Sequence, residues 1–100
     1  GRTDLLAGVD RPHMFIKELS LYVDHFREEI SRLTTQFSAK QQRRLAAYKE
    51  GLLDGVRHYT ALLPELQERA AADVQRMRSE LERYAGEIRA MAVPEPQPIA

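Results

Sequence analysis

Large apolar residues recur along this chain at alternating spacings of three and four, which places them on one side of an α-helix. The first series is Ile16, Leu19, Val23, Phe26, Ile30, Leu33 and Phe37. The second series is Leu66, Ala70, Val74, Met77, Leu81, Tyr84, Ile88 and Met91. Because such stripes must be shielded from water, the chain is predicted to be all-α and built from long amphipathic helices.

The first two helix starts are indicated by residues that favour helix termini. Pro12 suits the first turn of a helix, so helix 1 is predicted over about residues 12–37. Residues 1–11 are then interpreted as a leader cut from a longer protein. Ser38 and Gln41 have the spacing of a capping box, which predicts that helix 2 starts at Ala39.

Pro64 separates the second helix from the third, because proline disfavours a helical residue just before it. Helix 2 is therefore predicted over about 39–62 and helix 3 over about 65–92. An antiparallel three-helix bundle spanning 12–92 would bury every stripe. The alternative fuses helices 2 and 3 into one kinked rod that a partner must cover. Alternating prolines predict a disordered tail over 93–100.

Composition excludes several classes of function. The chain has 100 residues, enough for one core, and its formal net charge is zero. It has no cysteine and no long apolar run, which excludes a disulfide and a transmembrane segment and favours the cytoplasm. No catalytic or cofactor motif is present, so a noncatalytic protein without a cofactor is predicted.

Two sets of residues are candidates for an interaction surface. Helix 2 has small residues spaced by four, which would form a shallow groove or relieve crowding beside tyrosines. The helix 3 stripe is thin and shifts phase, so helix 3 is the one expected to find a partner. The candidates are Ala47, Gly51, Gly55, Met77, Leu81, Tyr84 and Ile88.

His25 is the histidine with carboxylates at helical spacing, and Glu29 is its closest candidate partner. A metal site in a helical bundle needs carboxylates from several helices and Glu-x-x-His pairs, whereas here the order is His25-x-x-Glu28. A metal- or ligand-carrying bundle is therefore an alternative that the pattern does not favour.

Helix 2 opens with the basic residues Lys40, Arg43 and Arg44. Positive charge near a helix N-terminus opposes the helix dipole, so these residues do not serve helix stability. They form a candidate anion patch, for phosphate or nucleic acid. The acidic flanking helices favour pairing across the bundle instead, which argues against a nucleic-acid partner.

Two short stretches of helix 3, Ala72–Arg76 and Tyr84–Ile88, resemble the amphipathic repeats of exchangeable apolipoproteins. The resemblance implies binding to a lipid surface. The chain departs from that family because it has only Pro12 and Pro64 before its tail, without regular repeat boundaries. Lipid-surface binding is therefore a further alternative.

The opening residues Gly1-Arg2-Thr3-Asp4-Leu5-Leu6 resemble the stretch that follows the flavin-binding barrel in the glutamate synthase large-subunit family. The match covers this connector alone, and none of the family's flavin, iron–sulfur or glutaminase motifs is present. The resemblance implies a helical appendage of a larger flavoenzyme. The sequence as a whole predicts a helical module for protein–protein association or self-association.

Overall fold

A computed structural model of the chain describes residues 2–33 and 37–95, with side chains from residue 11 onward. Within these ranges the chain forms three α-helices and no strand: α1 is Arg2–Ser31, α2 is Ala39–Leu66 and α3 is Ala71–Ala90. Each helix packs against the other two. The molecule is elongated, with extents of 63 × 20 × 18 Å. The predicted all-α three-helix bundle is confirmed.

Contacts between the helices fix their directions. Phe15 of α1 stacks on Tyr59 of α2 with ring centroids 4.4 Å apart, whereas Glu29 lies 3.7 Å from Arg44. α1 and α2 therefore run antiparallel. At the end of α3, the Lys49 ammonium donates to the Met91 carbonyl oxygen at 2.8 Å. Consecutive helices are thus antiparallel.

The core contains most residues of both apolar stripes together with residues of α2, and Ile30, Leu33, Tyr84 and Met91 pack against it while half-buried. Several of the core side chains are fully buried, and none of the buried residues in the described part of the chain is polar or charged. The connected core cluster is Ile16, Leu19, Val23, Phe26, Leu45, Leu52, Leu53, Val56, Leu63, Leu66, Val74, Met77, Leu81, Ala85 and Ile88.

The predicted bounds of helix 1 were wrong at both ends. α1 begins at Arg2 and continues through Pro12, so residues of the expected leader are part of the helix. A proline inside a helix removes one hydrogen bond and costs about 3 kcal/mol. Here its ring lies fully buried on the core side of the helix, and that burial offsets part of the cost. At the other end α1 stops at Ser31, and residues 34–36 lie outside the described residues.

The start of α2 was predicted correctly. The Ser38 hydroxyl accepts a hydrogen bond from the Gln41 N–H at 3.1 Å, and the Ser38 N–H donates to Gln41 Oε1 at 2.8 Å. These two bonds form the expected capping box. They satisfy two donors at a helix end where backbone N–H groups have no helical partner.

The predicted end of helix 2 was wrong, because α2 continues through Pro64 to Leu66. Leu63 and Leu66 are both buried in the core. Continuing the helix for one more turn places both leucines on its buried face, which offsets the hydrogen bond lost at the proline.

Residues 67–70 separate α2 from α3, so α3 starts at Ala71 rather than near residue 65 and ends at Ala90. Ala70 has φ −153° and ψ 52°, outside the helical region, and the Leu66 carbonyl accepts from the N–H groups of Arg69 and Ala70 at 3.0 Å each. The alternative of one kinked rod is therefore excluded. Of the predicted tail over 93–100, residues 93–95 lack regular secondary structure, and 96–100 lie outside the described residues.

Candidate interaction surface

The outer face of α1 exposes three large hydrophobic side chains. Met14, Leu21 and Tyr22 are 59%, 68% and 43% exposed. Met14 and Leu21 lie seven residues apart, about two helical turns, and so share one face of the helix. The core face of α1 is set by Pro12, Ile16 and the rest of the stripe, so Met14 and Leu21 point away from the core. Tyr22 lies on the flank between that outward side and α2, where its carbonyl accepts from Tyr48. We call Met14, Leu21 and Tyr22 the α1 outer face.

The sequence patterns did not predict this surface, because the stripe spacing identifies only the residues that belong to the stripe. The available signal was the presence of large apolar residues off the stripe: neither Met14 nor Leu21 fits its spacing. Single exposed hydrophobic residues are ordinary on soluble proteins, whereas several on one face are characteristic of interaction sites.

The small residues of α2 differ from one another in their surroundings. A Cβ atom built at Gly55 would lie 2.8 Å from Cζ of Phe15, whereas one built at Gly51 meets nothing within 4 Å. Gly55 therefore gives space to the Phe15 ring where it stacks on Tyr59. Gly51 and Ala47 are exposed.

The helix 3 candidates lie mainly inside the chain's own core. Met77, Leu81 and Ile88 are 3%, 0% and 0% exposed. Tyr84 is half-buried, and the Arg83 guanidinium lies 4.6 Å from the centroid of its ring. Contacts with α1 and α2 cover the stripe that was expected to meet a partner.

His25 and Glu29 lie together at the end of the bundle where α1 meets the start of α2. His25 Nε2 is 3.6 Å from Glu29 Oε1, and the other Glu29 oxygen is 3.7 Å from the Arg44 guanidinium. A small pocket is lined by His25, Glu29, Arg44, Leu45 and Tyr48. Glu29 therefore bridges a histidine of its own helix and an arginine of α2.

Tyr48 is one of the side chains that line this pocket. Its ring lies 5.8 Å from that of Phe26 and 6.0 Å from that of His25, and its hydroxyl donates to the Tyr22 carbonyl oxygen at 3.5 Å. Partial burial raises the pKa of the Tyr48 hydroxyl above its usual value of 10, and Tyr22 and Glu29 raise it further. Tyr48 consequently keeps its hydroxyl proton to a higher pH than a tyrosine with the usual pKa.

A metal site would require more ligands than this cluster offers. Among the residues that the structure describes, no group of three or more histidine, cysteine, aspartate or glutamate side chains is placed to hold an ion. The candidate ligands His25 and Glu29 form a pair with each other and an arginine.

The predicted anion patch lies on the exposed N-terminal turns of α2. Lys40, Arg43 and Arg44 are all exposed, and Arg44 pairs with Glu29 across the helix boundary. Glu29 of α1 therefore neutralises part of this positive charge, which agrees with the predicted pairing of the basic residues with the acidic neighbouring helices.

A second groove runs between α2 and α3, with a volume of about 360 Å³. Its floor includes Val56, Ala61 and Ala85, and its rim carries Arg57 and Arg89. The Arg57 guanidinium already pairs with Asp54 of its own helix. The small side chains of Ala61 and Ala85 leave room for this groove, which the sequence patterns did not predict.

The class that fold and surface define is a small all-α bundle with an exposed apolar face. Comparison of the chain with protein-family models, with curated proteins and with solved structures finds no match. In the described part of the chain, no helix contains a stretch long and apolar enough to span a bilayer.

Proposed function

We propose that this chain is a noncatalytic helical module that works by protein–protein association, and that a partner docks on the α1 outer face. One observation carries the proposal: the core hides both apolar stripes within one chain, yet Met14, Leu21 and Tyr22 remain exposed. Shielding them from water would favour association, at about 25 cal/mol per Å² of apolar surface buried.

The surroundings of this face fit a docking role. Half-buried Phe15, which follows Met14 in the sequence, stacks on Tyr59 of α2, and the Tyr48 hydroxyl donates to the Tyr22 carbonyl oxygen. Aromatic side chains held by a second helix lose little conformational freedom when a partner binds, and such residues are enriched in interfaces. The absence of cysteine supports a cytoplasmic location within this proposal.

A second copy of the chain is the first partner to test. Sedimentation velocity across a wide concentration range should show association in the unaltered protein, and Leu21→Glu should weaken it by about ten-fold or more because a charge would be buried. Ser79→Glu adds the same charge at an exposed position on α3 and should leave association unchanged.

Three outcomes would count against this account. A monomer at all concentrations would contradict self-association. Association that Leu21→Glu leaves intact would show that the docking surface lies elsewhere. Near-stoichiometric iron or zinc in protein purified without chelator, lost in His25→Ala, would support the metal-carrying alternative instead.

The resemblance of residues 1–6 to the glutamate synthase family adds a second occupant of the α1 outer face, namely the rest of a longer polypeptide. If the chain is an appendage of such a flavoenzyme, the α1 outer face would contact the remainder of that polypeptide. Fusing the chain to the corresponding flavin domain should then make Leu21 inaccessible to solvent, which hydrogen exchange or labelling of a Leu21→Cys variant would detect.

A further inference from the structure

α3 is shorter than the helices it packs against. Its 20 residues extend about 30 Å, compared with about 45 Å for the 30 residues of α1 and about 42 Å for the 28 of α2. The hydrogen bond from Lys49 to the Met91 carbonyl places the end of α3 beside Lys49. The first turns of α2, before Lys49, therefore lie beyond the reach of α3. We call this region, with the facing last turns of α1, the two-helix end.

Apolar residues at the two-helix end are nevertheless covered. Phe26 is 0% exposed and Leu45 is 3% exposed, and Ile30 and Leu33 are half-buried against the same cluster. Phe37, just before α2, is also buried. Two helices alone leave one side of their shared interface open to water, so we expect further parts of the chain to cover this side.

The chain that follows α3 continues from beside Lys49 and packs against the core cluster. Met91 has extended backbone angles, φ −85° and ψ 103°. Met91 and Val93 are half-buried and pack against the core, whereas Ala92, Pro94 and Glu95 are exposed. This alternation has the period of two that an extended segment shows when one of its faces lies on a surface.

We propose that the two-helix end forms a groove for an extended peptide with apolar residues two positions apart, and that residues 91–95 of this chain are its resident ligand. Lys49 holds the segment through a backbone carbonyl, and Met91 and Val93 supply the apolar contacts. Pro94 restricts the free segment to extended conformations, which lowers the entropy lost on binding. This groove is separate from the α1 outer face, and either proposal can fail without the other.

The test uses the full chain in two matched variants. Val93→Asp places a charge on the packed side of the segment, and Ala92→Asp places the same charge on the exposed side. In Val93→Asp, NMR signals of Ile30, Leu33 and Leu45 should shift, and the amides of Met91, Ala92 and Glu95 should become mobile. Ala92→Asp should leave both unchanged.

Titration with a synthetic peptide that has the sequence of residues 91–100 then tests whether the emptied groove binds an extended segment. Its binding to Val93→Asp should shift the signals of Ile30, Leu33 and Leu45. It should bind the unaltered chain with an affinity at least about ten-fold lower, because the resident segment competes for the groove. Should Val93→Asp fail to fold, Lys49→Ala provides a milder release of the segment, with peptide affinity between those of the other two chains.

The proposal is overturned if a folded Val93→Asp or Lys49→Ala chain does not bind the peptide. It is also overturned if the unaltered chain binds the peptide as tightly as Val93→Asp does, because the groove would then be unoccupied by its own segment. Equal responses of Val93→Asp and Ala92→Asp would show that the effect comes from the added charge alone.

Discussion

The three-helix part of this molecule and its two-helix end bury apolar surface by different means. Where all three helices run together, Leu63, Leu81 and Ile88 are fully buried by aliphatic neighbours. At the two-helix end, Phe26 is covered partly by the Tyr48 ring, beside the polar pocket of His25, Glu29 and Arg44. Three packed helices thus bury aliphatic side chains without polar neighbours, whereas at the two-helix end an aromatic ring contributes to the cover and lies close to charged groups.

The largest expected difference comes from removing leucine side chains in the two regions. Leu81→Ala leaves a cavity at a fully buried site and should lower the free energy of unfolding by about 3 kcal/mol. Leu33→Ala, at a half-buried position beyond the reach of α3, should lower it by about 1 kcal/mol. Chemical denaturation of the two variants measures both values, and an equal loss would show that the regions do not differ in packing.

The two glycines of α2 should respond in opposite directions. Gly51→Ala gains helix propensity in open space and should raise the free energy of unfolding by about 0.5–1 kcal/mol. Gly55→Ala forces the Phe15 ring away from Tyr59 and should lower it by about 1 kcal/mol. Thermal unfolding compares the pair, with Gly86→Ala as a second substitution in open space. Stabilisation by Gly55→Ala would mean that Phe15 moves without penalty.

The capping box that starts the two-helix end should contribute a similar amount. Ser38→Ala removes the acceptor of the Gln41 N–H and should lower the free energy of unfolding by about 1 kcal/mol. Ser79→Ala, at an exposed position on α3, serves as the control and should have almost no effect. A negligible loss at Ser38 would indicate that water replaces the cap.

The smallest expected effect is a dependence of stability on alkaline pH. The pKa of Tyr48 is raised in the folded chain, so the unfolded chain loses its hydroxyl proton first as pH rises. The resulting stabilisation of the folded state is complete below pH 10, the usual pKa of tyrosine. It is lost as pH rises through the higher pKa that Tyr48 has in the folded chain. Tyr48→Phe should therefore reduce the loss of stability above about pH 10, which denaturation measured across alkaline pH would detect. Identical pH profiles for Tyr48→Phe and the unaltered chain would contradict the cause assigned here.

Much of the fold could be predicted from local patterns. The stripe spacing gave the buried faces of α1 and α3, and the pairing of Ser38 with Gln41 gave the start of α2, because both depend on residues a few positions apart. Pro12 and Pro64 misled the prediction, since the burial of Pro12 and of Leu63 and Leu66 offsets a local penalty. Tertiary packing therefore overrode backbone preference at both prolines.

Other features depend on distant contacts that local patterns do not contain. The break at 67–70 lies among good helix formers, and Ala70 has no side-chain cap. It exists because α3 must reverse direction to cover its stripe. The α1 outer face likewise depends on which residues the other helices leave uncovered. The candidates on α3 were selected by apolar spacing, which marks a buried face without revealing whether a partner or the chain itself covers it.

Native-state hydrogen exchange, residue by residue, tests the division between the two regions most directly. We expect amides of Leu19, Leu63 and Leu81 to exchange only through global unfolding, and those of Phe26, Ile30 and Leu45 to exchange through smaller local openings. Uniform protection across all six amides, or greater protection at the two-helix end, would contradict this expectation.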